Sequence, residues 1–202
     1  MVWFFPFLLA LALAGCQSAT EPPKPAQPAK PPQPVTGRFA LYQMYAAARG
    51  WTAEITPLRL NSIHLDPVPP EPGKAAAWQV TFIAPQLGKA RSYTYSVIEA
   101  EGNLHKGVFA GLEEHWSGPR GNISPFLLAA VRTDSDAAYK TALKKGAEYA
   151  AKHPKMTVNY LLEKTPRFGN PTWRVIWGES VGTSNFSIFV DASTGEYLQT
   201  MH

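Results

Sequence analysis

The chain has 202 residues, 19 Lys and Arg against 15 Asp and Glu, a formal charge of +4 and a single cysteine. One cysteine excludes an internal disulfide framework, so an apolar core must hold the fold. The basic residues, among them Lys24, Lys30, Lys89, Arg91, Lys144, Lys145 and Lys164, are scattered. A nucleic-acid footprint needs a basic stripe with stacking aromatics, so no nucleic acid is expected as a partner.

Residues 2–14 form an apolar run, broken by Pro6 and closed by Leu13-Ala14-Gly15-Cys16. The run is shorter than the roughly 20 residues a membrane span needs and reads as a signal-peptide core, although Met1-Val2-Trp3 carries no Lys or Arg. Two small residues before a cysteine let the chain lie extended in a narrow protease cleft while the thiol carries diacylglycerol. The run resembles the lipobox of bacterial lipoproteins, which implies a signal peptide over 1–15, lipidation of Cys16 and attachment to the membrane through acyl chains such as palmitate. A buried free cysteine is the alternative. Gln17, where inner-membrane retention favours Asp, implies the periplasmic face of the outer membrane.

Residues 18–35 read SATEPPKPAQPAKPPQPV. With proline fixing φ and no aromatic residue to bury, polyproline II is expected, at about 3.1 Å per residue a stalk on the order of 50 Å long. A spacer is favoured over a ligand for SH3 or WW readers.

The rest of the chain reads twice through the same order of elements. A helix over 36–49 places Leu41, Met44, Tyr45 and Ala48 on one face and stops at Gly50. A strand-like run over 55–65 follows, then Trp78-Gln79-Val80-Thr81-Phe82, then Tyr93-Thr94-Tyr95-Ser96-Val97 and Gly102. In the second half Asp134-Ser135-Asp136 supplies N-cap side chains, Tyr139, Leu143, Gly146 and Ala150 recur at helical spacing, and Pro154 ends the helix. After 156–164 come Trp173-Arg174-Val175-Ile176-Trp177, Phe186-Ser187-Ile188-Phe189-Val190 and Gly195. Period-two alternation turns Trp78, Val80, Phe82, Tyr93, Tyr95, Val97, Trp173, Val175, Trp177, Phe186, Ile188 and Val190 toward a core that the helices cover. The predicted class is α+β, two αβββ modules each with a helix packed on an antiparallel sheet.

Pro171-Thr172-Trp173-Arg174-Val175 and Val190-Asp191-Ala192-Ser193-Thr194-Gly195-Glu196 resemble the PepSY domain, whose last strands read P-x-W-x-V and V-D-A-x-T-G-E-V. The helix at Asp134-Ser135-Asp136-Ala137-Ala138 is similar to that family's opening helix. In the first half the resemblance rests on Trp78-Gln79-Val80 and Gly102, and Ile98-Glu99-Ala100-Glu101 departs from it. The resemblance implies a degenerate PepSY-like module over 36–116, a bridge over 117–132 and a PepSY-like module over 133–202, after the lipidated cysteine and linker of 16–35. It implies a cystatin-like α+β module of extracytoplasmic proteins and protease propeptides, whose members bind or inhibit. The tandem is also similar in layout to the duplicated β-lactamase inhibitor protein.

No catalytic constellation, cofactor site or metal site is expected. The serines lie in no nucleophile elbow, and Glu113-Glu114-His115 with His105 lacks zinc spacing. Glu99 and Glu101 are assigned to one strand face, as charges that protect an edge rather than as an acid and base. Asp191 is expected to close the Ser193-Thr194-Gly195 turn, with a calcium ligand as the alternative. Leu161, Ile176, Phe189, Ile83 and Ile98 fall on the strand faces opposite the core. They are the candidate partner-binding surface, unless they bury against the other half or the bridge. The expected function is that of a non-enzymatic, lipid-anchored envelope protein that binds or modulates another envelope protein, such as a peptidase, or cell-wall polymer. The alternatives are a structural lipoprotein docked to a membrane complex and, at low weight, a hydrolase using Glu99, Glu101, Glu113 or His115.

Overall fold

The computed structural model describes residues 1–2, 31–119 and 121–202. Cys16 and the rest of 3–30 lie outside them. The chain divides into Met1–Pro31 and Pro32–His202, and the second unit carries the fold. Strand β1 (Val35–Thr36) leads into helix α1 (Gly37–Ala48), followed by β2 (Thr56–Ile63), the short β3 (Lys74–Ala75), β4 (Ala77–Ala84), β5 (Lys89–Ser96) and β6 (Gly107–His115). Beyond the bridge, α2 (Ser135–Lys152) precedes β7 (Val158–Glu163), β8 (Thr172–Trp177), β9 (Phe186–Asp191) and β10 (Tyr197–Met201).

The class is α+β. Strands β1 and β3 pair as a ribbon, and the other eight form one antiparallel sheet in the order β10-β9-β8-β7-β2-β4-β5-β6. Each helix is followed by four strands of this sheet where the order of elements in the sequence predicts three. The additional ones, β6 and β10, are the two edges, which need only one neighbour and carry weak alternation. The two sets join where β2 meets β7, with Leu60 opposite Leu162.

Both helices cover the same face of the sheet. Trp78, Val80, Phe82, Trp173, Val175 and Ile188 are buried there beneath Leu41 and Met44 of α1 and Ala138 and Ala142 of α2. The inner stripe of α2 is Ala138, Ala142 and Gly146, with Tyr139, Leu143 and Ala150 flanking it half-buried. Small residues sit at the centre because the helix runs close to β9. A Cβ on Gly146 would stand 2.9 Å from Ile188 Cδ1 and 3.0 Å from Phe186 Cε1.

The two tryptophans play matching parts. Trp78 and Trp173 are fully buried and meet edge to face at 6.2 Å. The indole N–H of Trp78 donates to the Val35 carbonyl at 3.0 Å, and that of Trp173 to the Thr133 carbonyl at 2.9 Å. Each accepting residue lies two positions before the first residue of its helix. The helix starts are also tied to each other. Thr36, at the N-cap of α1, makes no side-chain cap bond. The first N–H donors of α1 are met from the other half instead, Gly37 N–H by Ser135 Oγ and Arg38 N–H by Asp134 Oδ1, each at 2.8 Å. Asp134 also accepts from Ser135 N–H at 2.7 Å, so one carboxylate serves both helices. Gly73 completes this junction, its carbonyl accepting from Ser135 Oγ at 2.5 Å and its N–H donating to the Tyr160 hydroxyl at 2.8 Å.

The bridge crosses from β6 to α2 along one end of the sheet. Ser124 N–H donates to the Lys164 carbonyl and Phe126 N–H to the Pro57 carbonyl. Phe126 and Val131 are buried in the core, which fastens the bridge to both halves.

Candidate functional site: the reverse face of the sheet

Cross-strand partners share a face, so the register defines the side of the sheet away from the helices. One row runs Gln199, Phe189, Arg174, Leu161 and Asn61, and continues through Gln79 and Thr94. Over β2, β4 and β5 this face is polar and partly open, with Arg59, Asn61, Gln79, Thr81 and Ser92 reaching solvent. Over β7, β8 and β9 it is covered. The segment between β7 and β8 lays Phe168 against Phe189 at 5.4 Å and places the Arg167 guanidinium 5.5 Å from each of those ring centres. The segment between β8 and β9 is drawn down by Asn159, whose Nδ2 donates to the Gly178 carbonyl at 2.8 Å and the Glu179 carbonyl at 3.2 Å.

These covers change the reading of the five apolar residues. Leu161, Ile176, Phe189 and Ile83 are 4, 2, 9 and 0% exposed. Ile98 is half-buried in the segment after β5. They do not form an open apolar patch: Phe168 lies on Phe189, and Glu179, Ser180 and Val181 lie beside Leu161 and Ile176. What remains accessible is the polar half of the face and two recesses beside the covers. One, of about 340 Å³, is walled by Asn122, Glu163, Arg167, Phe168, Arg174 and Phe189, and the other, of about 210 Å³, by Asn61, Asn159, Ile176 and Val181.

Arg174 is the residue that sequence reasoning passed over. It is 7% exposed, its Nε donates to Ser187 Oγ at 3.0 Å, and its guanidinium lies 5.3 Å from the Phe189 ring centre. Burial holds its pKa below the ordinary arginine value, an effect the nearby Glu163 partly opposes. Glu163 itself is bound by Arg59, whose Nη2 approaches it at 2.8 Å. The sequence did carry a signal, since an arginine in the otherwise apolar Trp173-Arg174-Val175-Ile176-Trp177 has no solvated face to occupy.

The other sequence candidates fall apart spatially. Glu99 and Glu101 lie beyond β5 rather than on a strand face. The Glu99 carboxylate accepts from Lys106 N–H at 2.9 Å and meets His105 Nδ1 at 2.5 Å, contacts that hold it below the usual carboxylate range. Glu113 and His115 stand at the opposite end of β6, where Glu113 accepts from Trp51 Nε1 at 2.9 Å. Among the described residues no three His, Cys, Asp or Glu side chains converge as a metal site. Asp191 closes its turn, accepting from Ser193 N–H at 2.7 Å and Thr194 N–H at 3.0 Å ahead of Gly195 at φ +80°. No described helix is long and apolar enough to cross a membrane. The chain matches no family model, no curated protein and no solved structure among those it was compared with.

Proposed function

We propose that the chain is a lipid-anchored protein of the bacterial envelope whose two PepSY-like halves, a duplicated helix-and-strands module, form one non-catalytic binding unit. Its partner is another envelope protein, such as a peptidase, and the reverse face of the sheet is the surface it offers. The observation that carries this reading is the asymmetry of the sheet. One face is filled by both helices, while the other keeps Asn61, Gln79, Thr81 and Ser92 accessible on regular strands that hold them at fixed spacing. The Cys16 motif and the proline-rich segment support display at a distance from a membrane, and the matched Trp78 and Trp173 anchors support duplication.

Photocrosslinking residues placed at Thr81 and at Ser92 in intact cells are expected to capture a discrete partner. The same probe at Glu148, exposed on α2, is expected to capture none. Equal capture from both faces, or none from either, rejects the assignment. A captured complex that survives high salt through purification would instead favour a structural lipoprotein built into a membrane assembly. For the anchor, Cys16→Ser is expected to move the protein from the membrane to the soluble periplasmic fraction, and unchanged retention counts against acylation.

A further inference from the structure

We propose that Arg174 and Arg167, with the rings of Phe168 and Phe189, form a receptor for a carboxylate carried beside an apolar group. The site is the recess of about 340 Å³ under the segment that joins β7 to β8. It deepens the binding reading above and rests on it, since it names a chemistry that the reverse face recognises.

Three observations converge on this assignment. First, Arg174 is a buried cation without a counter-ion. Among the described residues no carboxylate comes within 4.0 Å of its guanidinium, and Glu163, the acid that acts on it, is held by Arg59 through Nη2 at 2.8 Å and Nε at 3.2 Å. Burying most of a guanidinium is costly unless it is paired, and among the described residues its hydrogen bond is from Nε to Ser187 Oγ, which leaves the Nη groups, still in reach of solvent, for a ligand. Second, the local charge does not balance. Two arginines, Arg167 and Arg174, line the recess with one carboxylate, Glu163, and that carboxylate is already paired with Arg59. Third, the walls are apolar. Phe168 and Phe189 pack at 5.4 Å, and both Arg167 and Arg174 lie over the Phe189 ring, at 5.5 and 5.3 Å. Contact with the ring restricts each guanidinium, and the planar fork carries N–H edges that suit a bidentate acceptor, the geometry a carboxylate matches. Glu163 at the wall weighs against a doubly charged phosphate.

Such a carboxylate comes either from a small free acid or from the C-terminus of an extended peptide. The test uses the full-length chain in detergent, with the arginine Nε–H resonances followed by NMR. Three probes are titrated: N-acetylphenylalanine, its amide, and an acetylated five-residue peptide ending in free phenylalanine. Both acids are expected to shift the Arg174 resonance, and the amide to bind at least about tenfold more weakly, as expected for loss of a charge-assisted pair. A peptide about tenfold tighter than N-acetylphenylalanine identifies a chain terminus as the ligand, and equal affinities identify a small acid.

Because Arg174 is buried, its replacement can disturb folding, so Arg167→Ala is the second variant. Arg167 is exposed, and its loss is expected to weaken acid binding about tenfold with the melting temperature unchanged. Acid and amide binding alike, or neither acid binding by about 10 mM, overturns the assignment. Crosslinks from Thr81 and Ser92 that persist without carboxylate binding reject this site alone. Carboxylate binding without those crosslinks rejects only the partner face.

Discussion

Gly73 and Tyr160 show how much of this fold hangs on single atoms. Gly73 has φ +75°, and a Cβ there would fall 2.1 Å from the Asp136 Cα. Gly73→Ala therefore combines backbone strain with a clash against a helix start that cannot retreat, and should cost about 3 kcal/mol or more in urea denaturation. A loss under about 1 kcal/mol would mean that the junction yields freely. Tyr160 presents the hydroxyl that accepts the Gly73 N–H, and burial raises its pKa well above the ordinary 10.0. The neutral phenol is the form that folding favours. Its contribution is complete below about pH 10, where the unfolded chain still holds the proton, and is lost as pH rises from there through the folded value. Tyrosinate absorbance should show this group ionising only as the chain unfolds. Tyr160→Phe should flatten the alkaline limb while lowering stability near neutrality by about 1–3 kcal/mol, because the Gly73 donor is left unpaired. An alkaline limb unchanged by the substitution would locate the pH dependence elsewhere. The aromatic core was legible because alternation needs only neighbouring residues. Gly73 was not, since its reason lies on a helix remote in sequence, whereas Arg174 carried a local signal, a charge in an apolar strand, without its partners.

At the level of elements, the start of α1 is an exception to self-sufficient capping. The sequence Val35-Thr36-Gly37 offers a threonine at the N-cap that makes no side-chain bond, and the acceptors come from Asp134 and Ser135. Asp134→Ala should accordingly loosen two helices at once, at about 1–2 kcal/mol overall. Hydrogen exchange offers the direct check, with faster exchange expected at Arg38 as well as at Ser135. Faster exchange confined to α2 would show that α1 draws on other acceptors. The motif Asp134-Ser135-Asp136 announced a helix start correctly, but nothing local announces a second beneficiary 96 positions away. The same limit applies to the strands. β4, β5, β8 and β9 were readable from alternation and β2 and β7 as strand-like runs, whereas β6 and β10, lying at the margins, gave weak patterns.

For the whole molecule, the decisive contact is the pairing of β2 with β7, which joins Leu60 to Leu162 and makes one sheet of eight strands. Repetition in the sequence was read as two similar halves but carried no information on how they meet, because either half reads the same with or without a neighbour. Their interdependence is testable. Residues 32–116 and 117–202 produced separately each lose a sheet partner, and the first also loses the acceptors for its helix. Neither should unfold cooperatively alone, and mixing them should restore a melting transition seen by circular dichroism. Cooperative melting of either piece by itself would mark it as an autonomous module.

The ribbon of β1 and β3 sets out a mechanical path. The proline-rich segment enters the fold at Val35, which pairs with Ala75 while Thr36 pairs with Lys74, immediately after Gly73. If the proposed anchor holds, a pull through this segment would arrive first beside the starts of both helices and at the Trp78 indole bound to the Val35 carbonyl. Tension and the seam between the halves share one address.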